Sequence, residues 1–512
     1  MKKVLFLTTE LHKPFGGLFR FAIEFIPAWK SLLLEKETDF EPVIFSLKDP
    51  LTEPGDLILS EDFKKFMERE PKVKIYEGTR GGEKAYFIEA LLDENEKNEF
   101  HKMLWEKYRI KSDKTTNWGY YHTLNAFWKY VPMVAKEYQA IKEKFTLIDA
   151  QDWLAFPAGF LAKEELQIPL LCRFHSGEFG RSLGNPDLES PPLRIETASL
   201  MEADYIQGVS CSEAKYEVFK LLPLVQELVK ELKPIRSEEW FNSQLEKQRK
   251  YEQFLLLESE DLELITNNIA GIPNGISLES WMQVNKQMIK NGRQVLKKML
   301  PGKEYYIIFE GRTEYRKGLN QLLEAYSLLK RNDTALIIFS VMSKEEEQQF
   351  QNKINSLGIG ESTMIYEGWI NEEMKKSIFC AADIITLPSL YEPFGLVTLE
   401  GLAADLACEM NGVTGPTVVV GDTGGMHEVI KNGVNGFKVP MEEDLFMLNP
   451  RYLADIISLI INEPEIRKKV SVGGSERVKS HSFEWHTVCK NIFSMYEKTI
   501  DGCGEECKVV KE

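Results

Sequence analysis

An α/β chain of two doubly wound, Rossmann-like domains facing across a cleft is the architecture this sequence predicts. Three observations predict it. At 512 residues the chain exceeds what one ordinary hydrophobic core holds. Short apolar runs of strand length alternate with helical stretches. That alternation occurs twice, in two series separated by a clear turn at Ile272-Pro273-Asn274-Gly275-Ile276.

The first series opens on Val4-Leu5-Phe6-Leu7-Thr8, which reads as a buried parallel strand. A Gly-Gly turn and a helical stretch from Leu18 to Lys30 follow. Further strands are predicted at Val43–Phe45, Val73–Tyr76, Leu147–Asp149, Leu170–Phe174 and Tyr205–Val209. Repeated strand–helix units of this kind give a parallel sheet covered on both faces. From about Lys215 to Glu263 the chain turns charged, leucine-bearing and helical, so a helical insertion is predicted over about 215–265. It could cover an edge, approach an acceptor or pair subunits, which leaves a homo-oligomer open. The second series has strands at Tyr306–Phe309, Leu336–Phe339, Ile384–Leu387, Thr417–Val420 and Phe437–Val439. The domains are therefore expected at 1–275 and 276–485, with a C-terminal helix and tail at 486–512. Doubly wound domains bind ligands beyond the carboxyl ends of their strands.

Hydrophobic residues make up 43% and charged residues 28%, the balance of a soluble globular protein. No run is long enough for a transmembrane segment, and Val4–Leu7 is too short for a secretory signal, so the expected location is cytoplasmic. The seven cysteines form no metal-binding spacing and read as reduced structural thiols. A net charge of -16 argues against nucleic acid as a partner.

Chemistry is concentrated in loops that follow strands. The richest is Leu387 to Glu400, which leaves a strand and enters a helix. Gly395 lets backbone approach a ligand, and free N–H groups at the helix start favour an anion such as a diphosphate. Glu392 and Glu400 can accept hydrogen bonds from two separate sets of hydroxyls, as a hexose and a ribose joined by a diphosphate would offer. Taken singly, each has a plainer reading, as helix-dipole partner or solvated loop charge. In Gly311-Arg312-Thr313-Glu314-Tyr315-Arg316-Lys317-Gly318, Arg312 can grip phosphate oxygens bidentately and Lys317 adds a point charge. A solvated basic turn is the alternative. Thr423-Gly424-Gly425 is a third strand-to-helix turn, either a source of backbone donors or simply a tight turn.

In the N-terminal half, Gly16-Gly17 follows the first strand and could approach a phosphate or an acceptor, although G-x-G-x-x-G is absent. His175, Glu178 and Arg181 follow the strand Leu170–Phe174 and make a sugar-contacting loop, or a structural one. Asp152-Trp153 reads as a helix N-cap with a packed indole. No metal-ligand cluster and no D-x-D occur, so charge on a leaving group would be met by Arg, Lys and helix ends, with no metal and no cofactor.

Together these segments resemble the glycogen and starch synthases and the broader retaining glycosyltransferases of GT-B fold (glycosyl transferases group 1). Gly16-Gly17-Leu18 resembles the synthase glycine loop, with Pro14-Phe15 where synthases carry Lys-Thr and Lys13 displaced by one residue. Ile272–Ile276 with Trp281 resembles the "IPNGI…W" stretch, Gly311-Arg312 with Lys317-Gly318 the "GR…KG" clamp, Glu392 to Glu400 the E-x7-E pattern, and Thr423-Gly424-Gly425 the "TGG" turn. Phe483-Glu484-Trp485 resembles the stretch before the last helix, which in that fold returns to the N-terminal domain.

The resemblance implies roles. Arg312 and Lys317 would hold the donor diphosphate, Glu392 the transferred sugar, Gly395 and Leu396 backbone contacts beside it, Glu400 the ribose, and His175 would line the sugar pocket. Transfer would retain anomeric configuration. The donor would be ADP-glucose or UDP-glucose and the acceptor an α-glucan. The alternatives are a small sugar, sugar phosphate or lipid-linked acceptor, or a protein that binds sugar nucleotides without turnover. A phosphorylase would need a pyridoxal-binding lysine motif, which is not found.

Overall fold

The computed structural model describes residues 1–12, 16–112, 120–257, 264–368, 370–442, 446–480 and 482–506. Lys13, Pro14, Phe15 and Cys507, residues 258–263 of the predicted insertion, and the end of the predicted tail lie outside the described residues. The chain divides into two compact units, Met1–Gly275 with the segment from Trp485 onwards, and Ile276–Glu484.

The N-terminal unit is built on a ten-stranded sheet. Its strands are β1 (Lys2–Thr8), β2 (Phe40–Leu47), β3 (Ile58–Leu59), β4 (Val73–Arg80), β5 (Glu83–Ala90), β6 (Phe145–Gln151), β7 (Leu170–Phe174), β8 (Tyr205–Gly208), β9 (Leu264–Ile265) and β10 (Ile269–Gly271). They run in the order β3-β4-β5-β2-β1-β6-β7-β8-β10-β9. From β5 to β10 all neighbours are parallel, while β3, β4 and β9 pair antiparallel at the two edges.

The apolar runs are explained by burial on both faces. Alternate β1 side chains enter different cores: Leu5 and Leu7 one, Val4 and Phe6 the other. The first core is filled by residues of helices Tyr120–Ile141, Phe156–Leu166 and Cys211–Leu232. The second is filled by helix Gly16–Leu34 and the last helix, Trp485–Glu506. Trp29 sits between them, 5.3 Å from Phe493 and 5.7 Å from Tyr496 by ring centroids. Helix Cys211–Leu232 connects the parallel strands β8 and β10 and packs on both, so it is part of the doubly wound core. A short turn at Lys233–Ile235, carrying Pro234, separates it from helix Glu238–Leu256.

The C-terminal unit has a six-stranded, wholly parallel sheet: β11 (Tyr305–Glu310), β12 (Thr334–Ser340), β13 (Thr363–Glu367), β14 (Ile384–Leu387), β15 (Thr417–Gly421) and β16 (Phe437–Val439). The order is β13-β12-β11-β14-β15-β16, with β11 as first strand the arrangement 3-2-1-4-5-6 of dinucleotide-binding folds. The α/β class with parallel sheets is as the sequence predicts. Among the described residues no helix is long and apolar enough to cross a membrane.

Candidate functional site

In the C-terminal unit, β11 and β14 are neighbours in the sheet but their connections run outward in opposite directions. The loops beyond their carboxyl ends therefore part at this point, where doubly wound sheets bind ligands. Those loops are 311–318 and 388–395, two of the segments singled out in the sequence.

The two loops are tied together by backbone. The Arg316 carbonyl accepts from Leu390 N–H at 2.7 Å and Tyr391 N–H at 3.4 Å. Gly318 has φ +72°, and a Cβ there would lie 1.8 Å from the Pro388 carbonyl oxygen, so only glycine fits this approach. Across the junction Lys317 Nζ meets Glu392 Oε2 at 2.5 Å, with little of either side chain exposed. Ser389 Oγ also donates to Glu392, at 3.4 Å. Burial pulls the Lys317 pKa down and outweighs the favourable Glu392 charge. For Glu392 burial alone would raise the pKa, but Lys317 and Arg316 together hold it below its usual value. The pair is thus an ammonium and a carboxylate held in a partly dehydrated junction.

Arg312 is differently placed. Its side chain is 60% exposed and pairs with Glu314 at 2.9 Å. Arg316 is buried; its Nε bonds the same Glu314 at 2.6 Å and its guanidinium lies 5.9 Å from the Tyr391 ring centroid. Its contacts are those of a loop brace.

Gly395, at φ +83°, caps helix Leu396–Met410 without a side-chain hydrogen bond. The leading N–H groups of that helix, beginning with Leu396, are the kind that meet an anion. Glu400 lies in the second turn and is almost completely buried. Lys375 Nζ bridges it to Glu310 at the end of β11, at 2.7 Å to each. Sequence reasoning passed over Lys375. It falls with Ile378 and Phe379 on the apolar face of helix Glu372–Ala381, and a lysine in that stripe is a readable sign of a buried partner. Lys375→Met is expected to cost about 2 kcal/mol, since two carboxylates lose a shared charged donor. The check is the urea midpoint, which the further change of Glu310 and Glu400 to glutamine should largely restore.

The Thr423-Gly424-Gly425 turn backs the Glu392 loop. Gly425 N–H donates to the Pro393 carbonyl at 2.9 Å. Cβ atoms at Gly424 and Gly425 would come within 1.9 Å of the Glu392 carbonyl oxygen and 2.7 Å of Phe394 Cα. These glycines let one backbone lie against another.

The N-terminal unit has the same kind of switch point, between β1 and β6. Gly16 and Gly17 stand exposed at the start of helix Gly16–Leu34, the former at φ +82°. At the end of β7, His175 is held by Gln151, Nε2 to Oε1 at 3.0 Å, and by the edge of Phe21, 4.7 Å between centroids. Burial, then the Arg173 charge, push its pKa down to about 3, so the ring is neutral. Arg181 Nε bonds Glu178 at 3.0 Å and its Nη2 bonds the fully buried Glu196 at 2.5 Å, so Glu178 and Arg181 brace the loop. Asp152, at φ +63°, bonds the adjacent Trp153 N–H at 3.0 Å but is not the predicted helix N-cap, since helix Phe156–Leu166 begins after Ala155 with no side-chain cap; burial raises Asp152 to about 6.

Beneath this loop lies Glu217, 1% exposed, with no hydrogen-bond partner among the described residues. Burial, then the neighbouring Glu213 and Glu196 charges, raise its pKa well above the ordinary value. The folded state therefore holds a proton that the unfolded chain releases. Stability from this group is complete below the unfolded glutamate pKa and is lost as pH rises through the folded one. Glu217→Gln should flatten the decline in urea stability that sets in as pH rises above the ordinary glutamate pKa; an unchanged slope would count against a protonated Glu217.

The α/β fold with parallel sheets matches that of solved GT-B glycosyltransferases. Residues 293–476 match the family Glycosyl transferases group 1. The chain is 25% identical over 364 residues to an uncharacterized glycosyltransferase of Methanocaldococcus jannaschii, covering 71% of this chain and 77% of that one. It is 24% identical over 237 residues to the alpha-maltose-1-phosphate synthase of Mycobacterium tuberculosis, and spans only 57% of that protein. Among solved structures it resembles the sucrose-phosphate synthase of Thermosynechococcus elongatus (TM-score 0.62, 16% identity, 97% of this chain and 99% of that one). It equally resembles the catalytic domain of Starch Synthase IV of Arabidopsis thaliana bound to ADP and acarbose (TM-score 0.62, 15% identity, 98% and 99%).

Proposed function

We propose that the protein transfers glucose from ADP-glucose or UDP-glucose, with retention of configuration, to the end of an α-glucan. The observation that carries the reading is the Lys317–Glu392 pair at the β11/β14 switch point, beside an uncapped helix start. A nucleoside diphosphate sugar presents a diphosphate to Lys317, Arg312 and the helix N–H groups, and hydroxyls to Glu392 and Glu400. As the bond from sugar to phosphate breaks, negative charge grows on the leaving diphosphate, and preorganised cations favour that state over the ground state. Glu392, freed from Lys317 by the arriving phosphate, orients the sugar. Backbone at Gly395 and Leu396 lines the same junction, Thr423, Gly424 and Gly425 support it, and Gly16, Gly17, His175, Glu178 and Arg181 belong to the sugar and acceptor side.

A second reading, a small phosphorylated acceptor, is favoured by the relatives' names, alpha-maltose-1-phosphate synthase and D-inositol 3-phosphate glycosyltransferase among them. We place the protein in the cytoplasm, in keeping with the buried free thiols of Cys172, Cys211, Cys380, Cys408 and Cys489.

The test has two stages. A sugar nucleotide that binds the folded state raises its melting temperature, and ADP-glucose or UDP-glucose should do so above the other members of a panel. Release of nucleoside diphosphate should then require a glucan primer. Release with sugar phosphates alone would select the second reading, and binding without release would remove the enzyme reading.

A further inference from the structure

We infer that Lys375 is a positioning residue for the donor's nucleoside: from inside the C-terminal unit it fixes the Glu400 carboxylate in the direction of a ribose hydroxyl. The inference rests on the function proposed above and adds to it a residue that touches no substrate.

A lysine ammonium is almost never buried without partners. Lys375 is 2% exposed. It belongs to the buried face of helix Glu372–Ala381, where its Nζ lies 5.3 Å from the Phe379 ring centroid. Its two carboxylate partners come from two other elements. Glu310 is the last residue of β11, and Glu400 belongs to helix Leu396–Met410. Nζ is 2.7 Å from Glu310 Oε1 and 2.7 Å from Glu400 Oε2.

Stability alone gives no reason for this cluster. Burial strips three charges of their hydration, and buried ionic clusters exchanged for apolar side chains of similar volume are often as stable or more so. The helix of Glu400 shows the apolar solution, with Leu399, Leu402, Ala403 and Leu406 buried around it. An acid at 400 departs from that run. Lys375 departs in the same way from the run of Ile378 and Phe379 on a different helix, and the two departures meet.

Glu400 follows Leu396 by four residues, one turn or about 6 Å along the same helix face. Side chains in a helix lean towards its N-terminus, so Glu400 leans towards the helix start that would receive the diphosphate. A ribose attached to that diphosphate presents its hydroxyls to this turn. With Oε2 against the ammonium, the carboxylate cannot rotate about its Cγ–Cδ bond without breaking a charge-assisted contact. An untethered glutamate would be ordered only on binding, at a cost in side-chain entropy that the ligand must offset. Lys375 removes that cost beforehand.

Titration calorimetry of the full chain tests this, with UDP, ADP and their 2′-deoxy and 3′-deoxy counterparts as probes. The readout is the ratio of affinities, ribo over deoxy. Base and diphosphate are common to both, so a general loosening of the fold leaves the ratio unmoved. The wild type should prefer the ribonucleotide it binds over at least one deoxy counterpart by about ten- to a hundredfold, the worth of a hydrogen bond to a charged group. Lys375→Met keeps an apolar stem and removes the ammonium. Because it strands two acids, Lys375→Met with Glu310→Gln serves as a second protein, in which only Glu400 has lost its cation. In both variants the preference should fall to about threefold or less. A preference of wild-type size in either variant overturns the positioning role. A wild type that binds UDP or ADP but ranks the deoxy forms level with them overturns the ribose contact, and the inference with it. If neither UDP nor ADP binds, the donor reading itself falls, and Lys375 is left as a stabilising residue whose loss shows only in the urea midpoint.

Discussion

Lys317→Ala should lower turnover by a factor on the order of 10²–10³, the usual loss when one preorganised charge partner of a developing anion is removed. The ammonium sits in a junction from which most water is excluded, so its field on a neighbouring phosphate is weakly screened. Arg312 cannot replace it, because a mostly exposed guanidinium must be drawn from Glu314 and ordered before it acts. Both kcat and kcat/KM should fall, since the interaction strengthens as the leaving group charges. Loss of the cation also strands Glu392, although the Arg316 charge remains close and limits the damage. Glu392→Gln separates the two effects. It removes the carboxylate that orients the sugar while relieving the unpaired charge, so the double variant should be better folded than Lys317→Ala and no more active. Near-normal turnover by Lys317→Ala would take Lys317 out of the site.

How far the sequence foretold this arrangement depended on burial. Parallel strands covered on both faces, such as β1, β7 and β14, are almost purely apolar, and their positions were legible. The strands missed were at or near edges or too short to show a period: β3, β9, β10, and β13 with its mixed Thr-Met-Ile-Tyr-Glu. The hairpin of β4 and β5 turns at Gly81-Gly82, a signal that was present and passed over. In the C-terminal unit, the strand-to-helix loops that carry Arg312, Lys317 and Glu392 were legible as loops following strands. The Lys317–Glu392 contact was not, because it joins positions 75 apart that only strand order makes neighbours. Arg316 and Lys317 are adjacent cations with opposite fates, brace and junction, and composition cannot tell them apart. Gly424 and Gly425 read as either a source of backbone donors or a tight turn, and the chain's own Glu392–Phe394 backbone lies against them. His175 was picked for its rarity and place; behind it Gln151 bonds both the ring and Asp149, and Asp149 pairs with Arg173 and accepts from the Tyr496 hydroxyl, partners brought from another strand and from far along the chain.

The anchor of that network should also show the largest stability effect. Asp149→Leu is expected to destabilise the N-terminal unit by about 3–5 kcal/mol, the range for removing one partner of a buried ion pair. Arg173 is wholly buried, and its Nε and Nη1 meet no hydrogen-bond acceptor among the described residues. Among the described residues its charge is otherwise met by the rings of Phe21 and Phe25, 5.4 and 5.6 Å from their centroids. Such ring contacts offset roughly 0.5–2 kcal/mol, too little to hold a dehydrated guanidinium. The Tyr496 hydroxyl loses its acceptor at the same time, which would loosen the last helix from the sheet. Tyr496→Phe alone should cost only about 1 kcal/mol, because it removes a neutral donor and leaves the ion pair intact. Removing both charges, Asp149→Leu with Arg173→Met, should recover most of the loss, as buried pairs exchanged for apolar groups of similar size often do. Urea melts of the four proteins decide the matter: a double variant no more stable than Asp149→Leu would mean that packing, and not the stranded charge, carries the cost.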